Sequence, residues 1–249
     1  MIADASAVTL IRQAPTGADP ALVMADDGEL YWVKVPGNQH GPTSMLSERL
    51  VGLAGEWLGA PVAPSRLINV PAQIADTWTF QAGGRPQAGL AHGSLVVGRE
   101  AVELAELTHH RSDGNPRRAA FYIALWEWCI GDDEQFIYDA AGAMSMWSID
   151  HGMWIGGGGQ WDASLFARPL EFNPHWTGPI DALSQSAFIE AAGRLDCLTL
   201  DVARGLARGV PLEWGFTTAE LDAVADWLVA RASYVADRLR IMSASAQMD

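Results

Sequence analysis

Short apolar runs that alternate with polar residues and turn signals fill the first part of the chain, residues 1–98. The stretch ALVMADDGELYWVKV (21–35) shows this pattern most clearly, because two alternating segments flank Asp27 and Gly28. An Asp-Gly pair between alternating segments is a strong signal for a β-hairpin. The pattern therefore predicts a hairpin with Lys34 on its second strand.

A helical pattern follows in TSMLSERLVGLAGEWLG (43–59). We predict a helix that is capped by Thr43 or Ser44 and ends at Gly59. One face is apolar at the 3.6-residue period, and the opposite face bears Glu48 among small residues.

Glycines are the unusual feature of that second face, which contains Gly52, Gly55 and Gly59 beside Glu48. Each glycine inside a helix costs about 1 kcal/mol relative to alanine. The glycines therefore predict a close approach of neighbouring backbone where Glu48 points. The alternative is an exposed glutamate on a helix that its glycines weaken.

From residue 99 onward the pattern becomes mostly helical. NPRRAAFYIALWEWCI (115–130) predicts a buried helix, and a second helix is predicted in TTAELDAVADWLVARASYVADRLRIM (217–242), where Thr217 and Glu220 form a capping box. The chain is thus predicted to be an α+β protein with a small β-rich part that has one long helix (1–98) and a mostly helical part (99–249).

The segment WCIGDDEQFIYDAAGAMSMWSIDHGMWIGGGG (128–159) departs from the helical pattern. It predicts a strand in QFIYD, a turn and a second strand in SMWSID. A hairpin brings its two ends together, so we expect Asp132 or Asp133 to lie near Asp150. Such carboxylates either bind a divalent metal or perform acid–base chemistry. Alternatively, they cap turn amides in a polar loop.

Charge and composition exclude several classes of function. The formal net charge of −14 argues against general nucleic-acid binding and against anionic membrane surfaces. The longest apolar windows are far shorter than the ~20 residues of a membrane span, and the first residues lack a secretory signal pattern. We therefore expect a cytoplasmic protein without nucleic-acid or membrane partners.

Lys34 is the only lysine among 16 basic residues. An ammonium group is a compact point charge, whereas guanidinium is a flat fork with five donors, so a narrow site around phosphate oxygens accepts the first and excludes the second. The alternative is a surface lysine without a role.

The order of these features along the chain matches the parts that phosphoryl transfer needs. In such enzymes a lysine holds the phosphates and a glutamate fixes the lysine, while one aspartate orients the acceptor hydroxyl and another holds magnesium. Lys34, Glu48, Asp132 or Asp133, and Asp150 occur in that order.

At these residues the chain resembles the HipA-like kinases, a bacterial family that includes toxins of toxin–antitoxin systems. The resemblance is strongest in residues 16–70 and returns at SIDHGMWI (148–155), which is similar to the family's Asp-His-Gly motif. It implies a protein-kinase-like bilobal fold with an N-lobe in 1–98 and a C-lobe in 99–249. It also implies ATP and Mg²⁺ as cofactors and an antitoxin-like protein partner.

The resemblance assigns roles by position. Lys34 matches the phosphate-binding lysine, Glu48 its ion-pair partner and Asp150 the magnesium ligand. Asp132 matches the catalytic aspartate, with Asp133 as its rival.

Three further positions are placed by the same resemblance. Gly17 lies in the short turn expected to touch phosphate, and Val97 in the connector expected to touch adenine. The family usually has an asparagine after the catalytic aspartate as a second metal ligand, which GDDEQFIYD lacks, so Gln135 or Asp133 would replace it.

The resulting hypothesis is an ATP- and Mg²⁺-dependent phosphotransferase that acts on a hydroxyl group of a protein or a small molecule. The missing asparagine leaves an alternative, a pseudokinase that binds a nucleotide or a protein partner without phosphoryl transfer.

Overall fold

Five strands of the first half close into a barrel in the order β1-β2-β3-β5-β4. The computed structural model describes residues 1–14, 16–98, 100–104, 107–158, 163–167, 170 and 175–246. The barrel strands are β1 (Ala5–Gln13), β2 (Ala21–Ala25), β3 (Leu30–Lys34), β4 (Ser65–Val70) and β5 (Gly89–Leu95). Neighbouring strands pair antiparallel except β1 and β4, whose parallel pairing closes the barrel.

The hairpin predicted around Asp27 and Gly28 is confirmed. Gly28 has a φ of 83°, a left-handed conformation that glycine adopts without steric cost. The Asp27 carboxylate accepts hydrogen bonds from the Glu29 amide and the Tyr31 hydroxyl, which fixes the turn. Lys34 is the last residue of the second strand, as predicted.

Helix α1 (Gly41–Leu58) connects β3 to β4 and begins earlier than predicted. Its N-cap is His40, which makes no side-chain capping bond, so the predicted cap at Thr43 or Ser44 is wrong. Pro42 explains the early start, because proline suits the first helical turn, where its missing N–H costs nothing. The predicted end is confirmed, since Gly59 terminates the helix with a φ of 82°.

The glycine face of α1 packs closely, but against neighbouring side chains and not against the backbone that was predicted. A Cβ atom on Gly52 would lie 2.9 Å from Cβ of Ser65, and one on Gly55 would lie 2.6 Å from Cγ1 of Val62. Any larger side chain at these two positions would therefore push α1 away from β4 and from the segment that follows α1.

In the part of the chain that the structure describes, the second half contains a three-stranded sheet and four longer helices. The sheet has the order β6-β7-β8 and consists of β6 (Ala101–Leu104), β7 (Phe136–Asp139) and β8 (Ser145–Ser148). The helices are α3 (Asn115–Cys129), α4 (Gln185–Asp196), α5 (Leu200–Ala207) and α6 (Thr218–Ser243), while a short helix α2 (Ala72–Ala75) belongs to the first half. The predicted β7–β8 hairpin and the capping box of Thr217 and Glu220 are confirmed.

Two hydrophobic cores support these elements. The smaller one fills the barrel. The larger one joins α3, α4 and α6 to α1, whose Leu46, Leu50 and Leu58 are fully buried in it. Among the described residues, no helix is both long and apolar enough to cross a lipid bilayer.

Backbone contacts fasten the segment after α1 to strand β8. The Ser148 amide donates to the carbonyl of Pro61 at 2.6 Å, and the Ala63 amide donates to the carbonyl of Ser148 at 3.3 Å. Asp150 follows two residues later, so these bonds set its position relative to α1.

Candidate active site

A cavity of about 290 Å³ lies between the barrel and the β7–β8 hairpin. Its volume is close to the lower end of the ~300 to 1,000 Å³ of ligand pockets. Five of the predicted site residues line it: Lys34, Glu48, Val97, Gln135 and Asp150.

Lys34 joins two carboxylates that are distant in sequence. Its ammonium group forms an ion pair with Glu48 and another with Asp150, whose Oδ1 lies 2.5 Å from Nζ. Burial opposes the charge on Lys34, but the two carboxylates outweigh that effect and raise its pKa above the usual value. Lys34 therefore stays charged while only 8% exposed.

Glu48 is held in place from several sides. One of its oxygens binds Lys34, and the other accepts a hydrogen bond from the backbone amide of His151 at 3.2 Å. Gly152 allows this approach, because a Cβ atom there would lie 2.5 Å from Oγ of Ser44 and 3.0 Å from Oε1 of Glu48. The glycine of the Asp-His-Gly motif thus lets the motif pack against α1.

Asp150 is the open member of the trio, with 31% of its side chain exposed. Its φ of 57° is unusual for a residue other than glycine, and such backbone conformations cost roughly 1–3 kcal/mol. The following His151 is buried and bonded to Oγ of Ser148 at 2.9 Å. Burial lowers the pKa of His151 to about 3, so it remains neutral.

Asp132 and Asp133 are both exposed and lie outside the lining of the cavity. Oδ1 of Asp132 accepts a hydrogen bond from the Asp133 amide, and Oδ2 of Asp133 accepts one from the side-chain amide of Gln135 at 2.8 Å. Gln135 therefore connects this loop to the cavity. Within the described ranges, no three His, Cys, Asp or Glu residues are arranged to hold a metal ion.

The two predicted nucleotide contacts differ in their placement. Val97 is buried and lines the cavity. Gly17 does not line it, although its neighbour Thr16 does. The Gly17 carbonyl instead accepts a hydrogen bond from the side chain of Gln39, and a Cβ atom at Gly17 would lie 2.6 Å from Nε2 of His40. The turn thus rests on the start of α1.

Sequence reasoning missed His92, which lies opposite Lys34 in the pairing of β3 and β5. It is 3% exposed, and its Nδ1 atom has no hydrogen-bond partner. Burial, together with the nearby charges of Arg49 and Lys34, holds its pKa well below the usual value. A lone histidine offers no sequence signal for such a position.

Trp32 and Arg12 are two further lining residues that sequence reasoning did not select. A signal was available for Trp32, because residues two apart on a strand share a face and Lys34 is the second residue after it. Arg12 had none, because its approach to Trp32 depends on the register of the barrel.

Solved structures provide the comparison for this arrangement. The chain superposes on the Helicobacter pylori proinflammatory kinase CtkA with a TM-score of 0.57 and 11% sequence identity, covering 95% of this chain and 97% of that one. Two structures of a Golgi casein kinase also match. The one with Mn and ADP bound gives a TM-score of 0.50 with 8% identity, covering 96% of this chain and 72% of that one. The other gives 0.52 with 8% identity, covering 97% and 73%.

The chain has a protein-kinase-like fold. The fold class predicted from the sequence, a β-rich first part with one long helix and a mostly helical second part, is thereby confirmed. No protein-family model and no curated protein sequence matches the chain. The kinase-like fold places Lys34, Glu48 and Asp150 together at one cavity, but a fold alone does not define an activity.

Proposed function

We propose that the protein is a phosphotransferase of the HipA-like kinase type, which uses ATP and Mg²⁺ to phosphorylate a hydroxyl group of a protein or a small molecule. One observation supports this function most directly: the single lysine of the chain is ion-paired with Glu48 and Asp150 at the wall of a cavity. An antitoxin-like partner remains a prediction from the family resemblance.

The lining residues suit a nucleotide with a divalent ion. Lys34 is the group that would bind phosphate oxygens, because its charge is maintained and its position is fixed by Glu48. The carboxylate of Asp150 and the side-chain amide of Gln135 provide the oxygen donors that Mg²⁺ prefers. When bound, the ion would neutralise charge on the transferred phosphate.

The acceptor hydroxyl needs a group that takes its proton and orients it. Asp132 and Asp133 are exposed beside Gln135 in the sequence, so either carboxylate is accessible to a protein or a small molecule. Their role is to hold the acceptor in line and to receive the proton at a carboxylate oxygen.

The test is to measure ATP turnover of the wild type, Lys34→Ala and Asp150→Asn. We expect each substitution to lower turnover by about 100-fold or more, because Lys34 would bind the phosphates and Asp150 would hold the Mg²⁺ that neutralises their charge. Wild-type turnover in both variants would refute the proposal.

A second candidate is a pseudokinase, and the placement of Asp132 and Asp133 outside the cavity lining favours it. Thermal unfolding with ATP and Mg²⁺ separates the two functions, because any ligand of the native state raises its apparent stability. Stabilisation without phosphate transfer to any acceptor would favour the pseudokinase.

A further inference from the structure

Two rows of side chains cross the barrel on the side of the cavity. The first, which we call the outer row, consists of Arg12, Leu22, Trp32 and Ser94, each paired with the next across neighbouring strands. The second, the inner row, contains Lys34 and its partner His92. The rows lie two residues apart along β3 and β5, so they occupy the same face of the sheet.

The chain direction assigns the two rows to different ends of the cavity. The turn at Thr16–Asp19 joins β1 to β2 on the side of the inner row, where Lys34 lies. Val96 and Val97 follow β5 on the side of the outer row. A nucleotide whose phosphates contact Lys34 therefore extends its sugar and base along the outer row toward Val97.

Trp32 provides the large apolar surface of the outer row. It lines the cavity and is half-buried, whereas its neighbours Tyr31 and Val33 point into the barrel core. Arg12 lies across it, with Cζ at 4.7 Å from the centre of the Trp32 ring. A guanidinium over an aromatic face at this distance is held by a cation–π interaction.

Charge distinguishes Arg12 from the other cation of the cavity lining. Lys34 is already neutralised by two carboxylates. Arg12 is exposed and, in the part of the chain that the structure describes, makes no ion pair with a carboxylate. The net charge of −14 repels an anionic ligand from most of the protein. Arg12 therefore provides the positive charge that attracts such a ligand to the cavity.

We propose that Arg12 and Trp32 together promote nucleotide binding: the exposed charge of Arg12 attracts the anionic nucleotide to the cavity, and Trp32 contacts the base where it extends along the outer row. This inference rests on the proposed function and adds two binding residues to it. Trp32 also holds the exposed Arg12 guanidinium at the cavity lining, so the positive charge is in place before a ligand binds.

The two roles have different signatures, because one depends on the charge of the ligand and the other does not. Isothermal titration calorimetry with ATP plus Mg²⁺ and with adenosine, at about 0.05 M and about 0.3 M salt, separates them. We expect Arg12→Ala to weaken ATP binding by about fivefold to tenfold at the lower salt and by less at the higher salt, because salt screens exposed charges. Adenosine binding should change by less than about twofold, since adenosine is neutral.

Trp32→Ala should weaken ATP and adenosine alike, by about tenfold, because the contact between a base and an aromatic ring does not depend on phosphate. Trp32→Phe keeps an aromatic face and should retain most of the affinity. A urea titration of each variant shows whether it folds. If Trp32→Ala does not fold, Trp32→Phe still tests the contact with the base.

Arg85→Ala is the matched control, because it removes one positive charge from an exposed side chain that pairs with Asp76 and does not line the cavity. If Arg12→Ala behaves like Arg85→Ala, or weakens ATP and adenosine equally, the assignment of Arg12 is overturned. If Trp32→Phe and Trp32→Ala both bind adenosine as the wild type does, the assignment of Trp32 is overturned.

Failure of the inference is distinguishable from failure of the proposed function. Binding of ATP by the wild type, with loss in Lys34→Ala and no effect of Arg12→Ala or Trp32→Ala, would overturn the inference alone. Absence of any ATP binding by the wild type would overturn both.

Discussion

Nζ of Lys34 lies 2.5 Å from Oδ1 of Asp150, although 116 residues separate the two positions in sequence. Lys34 is bonded to Glu48 at the same time, so one ammonium connects strand β3, helix α1 and the segment that follows the β7–β8 hairpin. The site therefore combines one positive and two negative side chains from three separate parts of the chain.

The identity of the cation at position 34 should matter as well as its charge. We expect Lys34→Arg to lower ATP turnover by about 100-fold, nearly as much as Lys34→Ala, because a flat fork with five donors does not fit a site that leaves Lys34 only 8% exposed. Steady-state turnover measures this. Arg85→Lys, an exchange at an exposed position, should have no effect. Turnover by Lys34→Arg near the wild-type rate would contradict the prediction.

The two aspartates of the loop can be separated by single substitutions. We expect Asp132→Asn to lower turnover by about 100-fold and leave ATP affinity unchanged, as is typical of a group that acts on the acceptor. Asp133→Asn should have a smaller effect on turnover and should weaken the dependence on Mg²⁺, because Asp133 positions Gln135.

Asp181→Asn is the control for those variants, since Asp181 is exposed and pairs with Arg111. If Asp133→Asn abolishes turnover and Asp132→Asn does not, the roles of the two residues are reversed.

Gly152→Ala tests the close packing beside Glu48. The new methyl group would lie 2.5 Å from Oγ of Ser44, so we expect a loss of about 1–3 kcal/mol in the free energy of unfolding and weaker ATP binding. Urea unfolding and calorimetry measure the two effects.

Gly193→Ala provides the opposite control, because it lies inside α4 with open space around it. This substitution should raise the free energy of unfolding by about 0.5–1 kcal/mol. A Gly152→Ala variant as stable as the wild type would contradict the prediction. It would show that α1 can shift to accommodate the methyl group.

His92 should make the protein sensitive to mild acid. Its pKa is well below 6.5 in the folded state, chiefly because of burial, so between that folded value and about pH 6.5 the unfolded chain binds a proton that the native protein does not. Stability is therefore fully present above about pH 6.5 and decreases as the pH falls below it, by up to about 1.4 kcal/mol for each pH unit.

His92→Gln removes this titration and should reduce the dependence of the urea midpoint on pH, leaving the part that the buried His151 contributes with the same sign. Identical slopes in the wild type and His92→Gln would contradict the assignment.

The parts of the structure that the sequence predicted depend on local signals. The Asp27-Gly28 turn, the end of α1 at Gly59 and the capping box at Thr217 are each determined by a few consecutive residues. These three predictions were correct because the backbone at a turn or a helix end can adopt only a few conformations. The start of α1 was predicted wrongly. The helix begins before Thr43 and Ser44, because Pro42 favours the first turn of a helix.

The parts that could not be predicted depend on contacts across the chain. Closure of the barrel through β1 and β4, and with it the approach of Arg12 to Trp32, is decided by packing and register. The position of His92 follows from the pairing of β3 with β5 in the same way. The sequence order did select Lys34, Glu48 and Asp150, which the fold brings together at one cavity, but it could not show that Asp132 and Asp133 lie outside the cavity lining.

Helix α1 belongs to the first half of the chain by sequence and to the core of the second half by packing. Separating the polypeptide between its two sheets would expose Leu46, Leu50 and Leu58 on one fragment and leave an empty groove on the other. Neither fragment would keep its hydrophobic core shielded from water. Heat or denaturant should therefore unfold the barrel and the helices in one cooperative step.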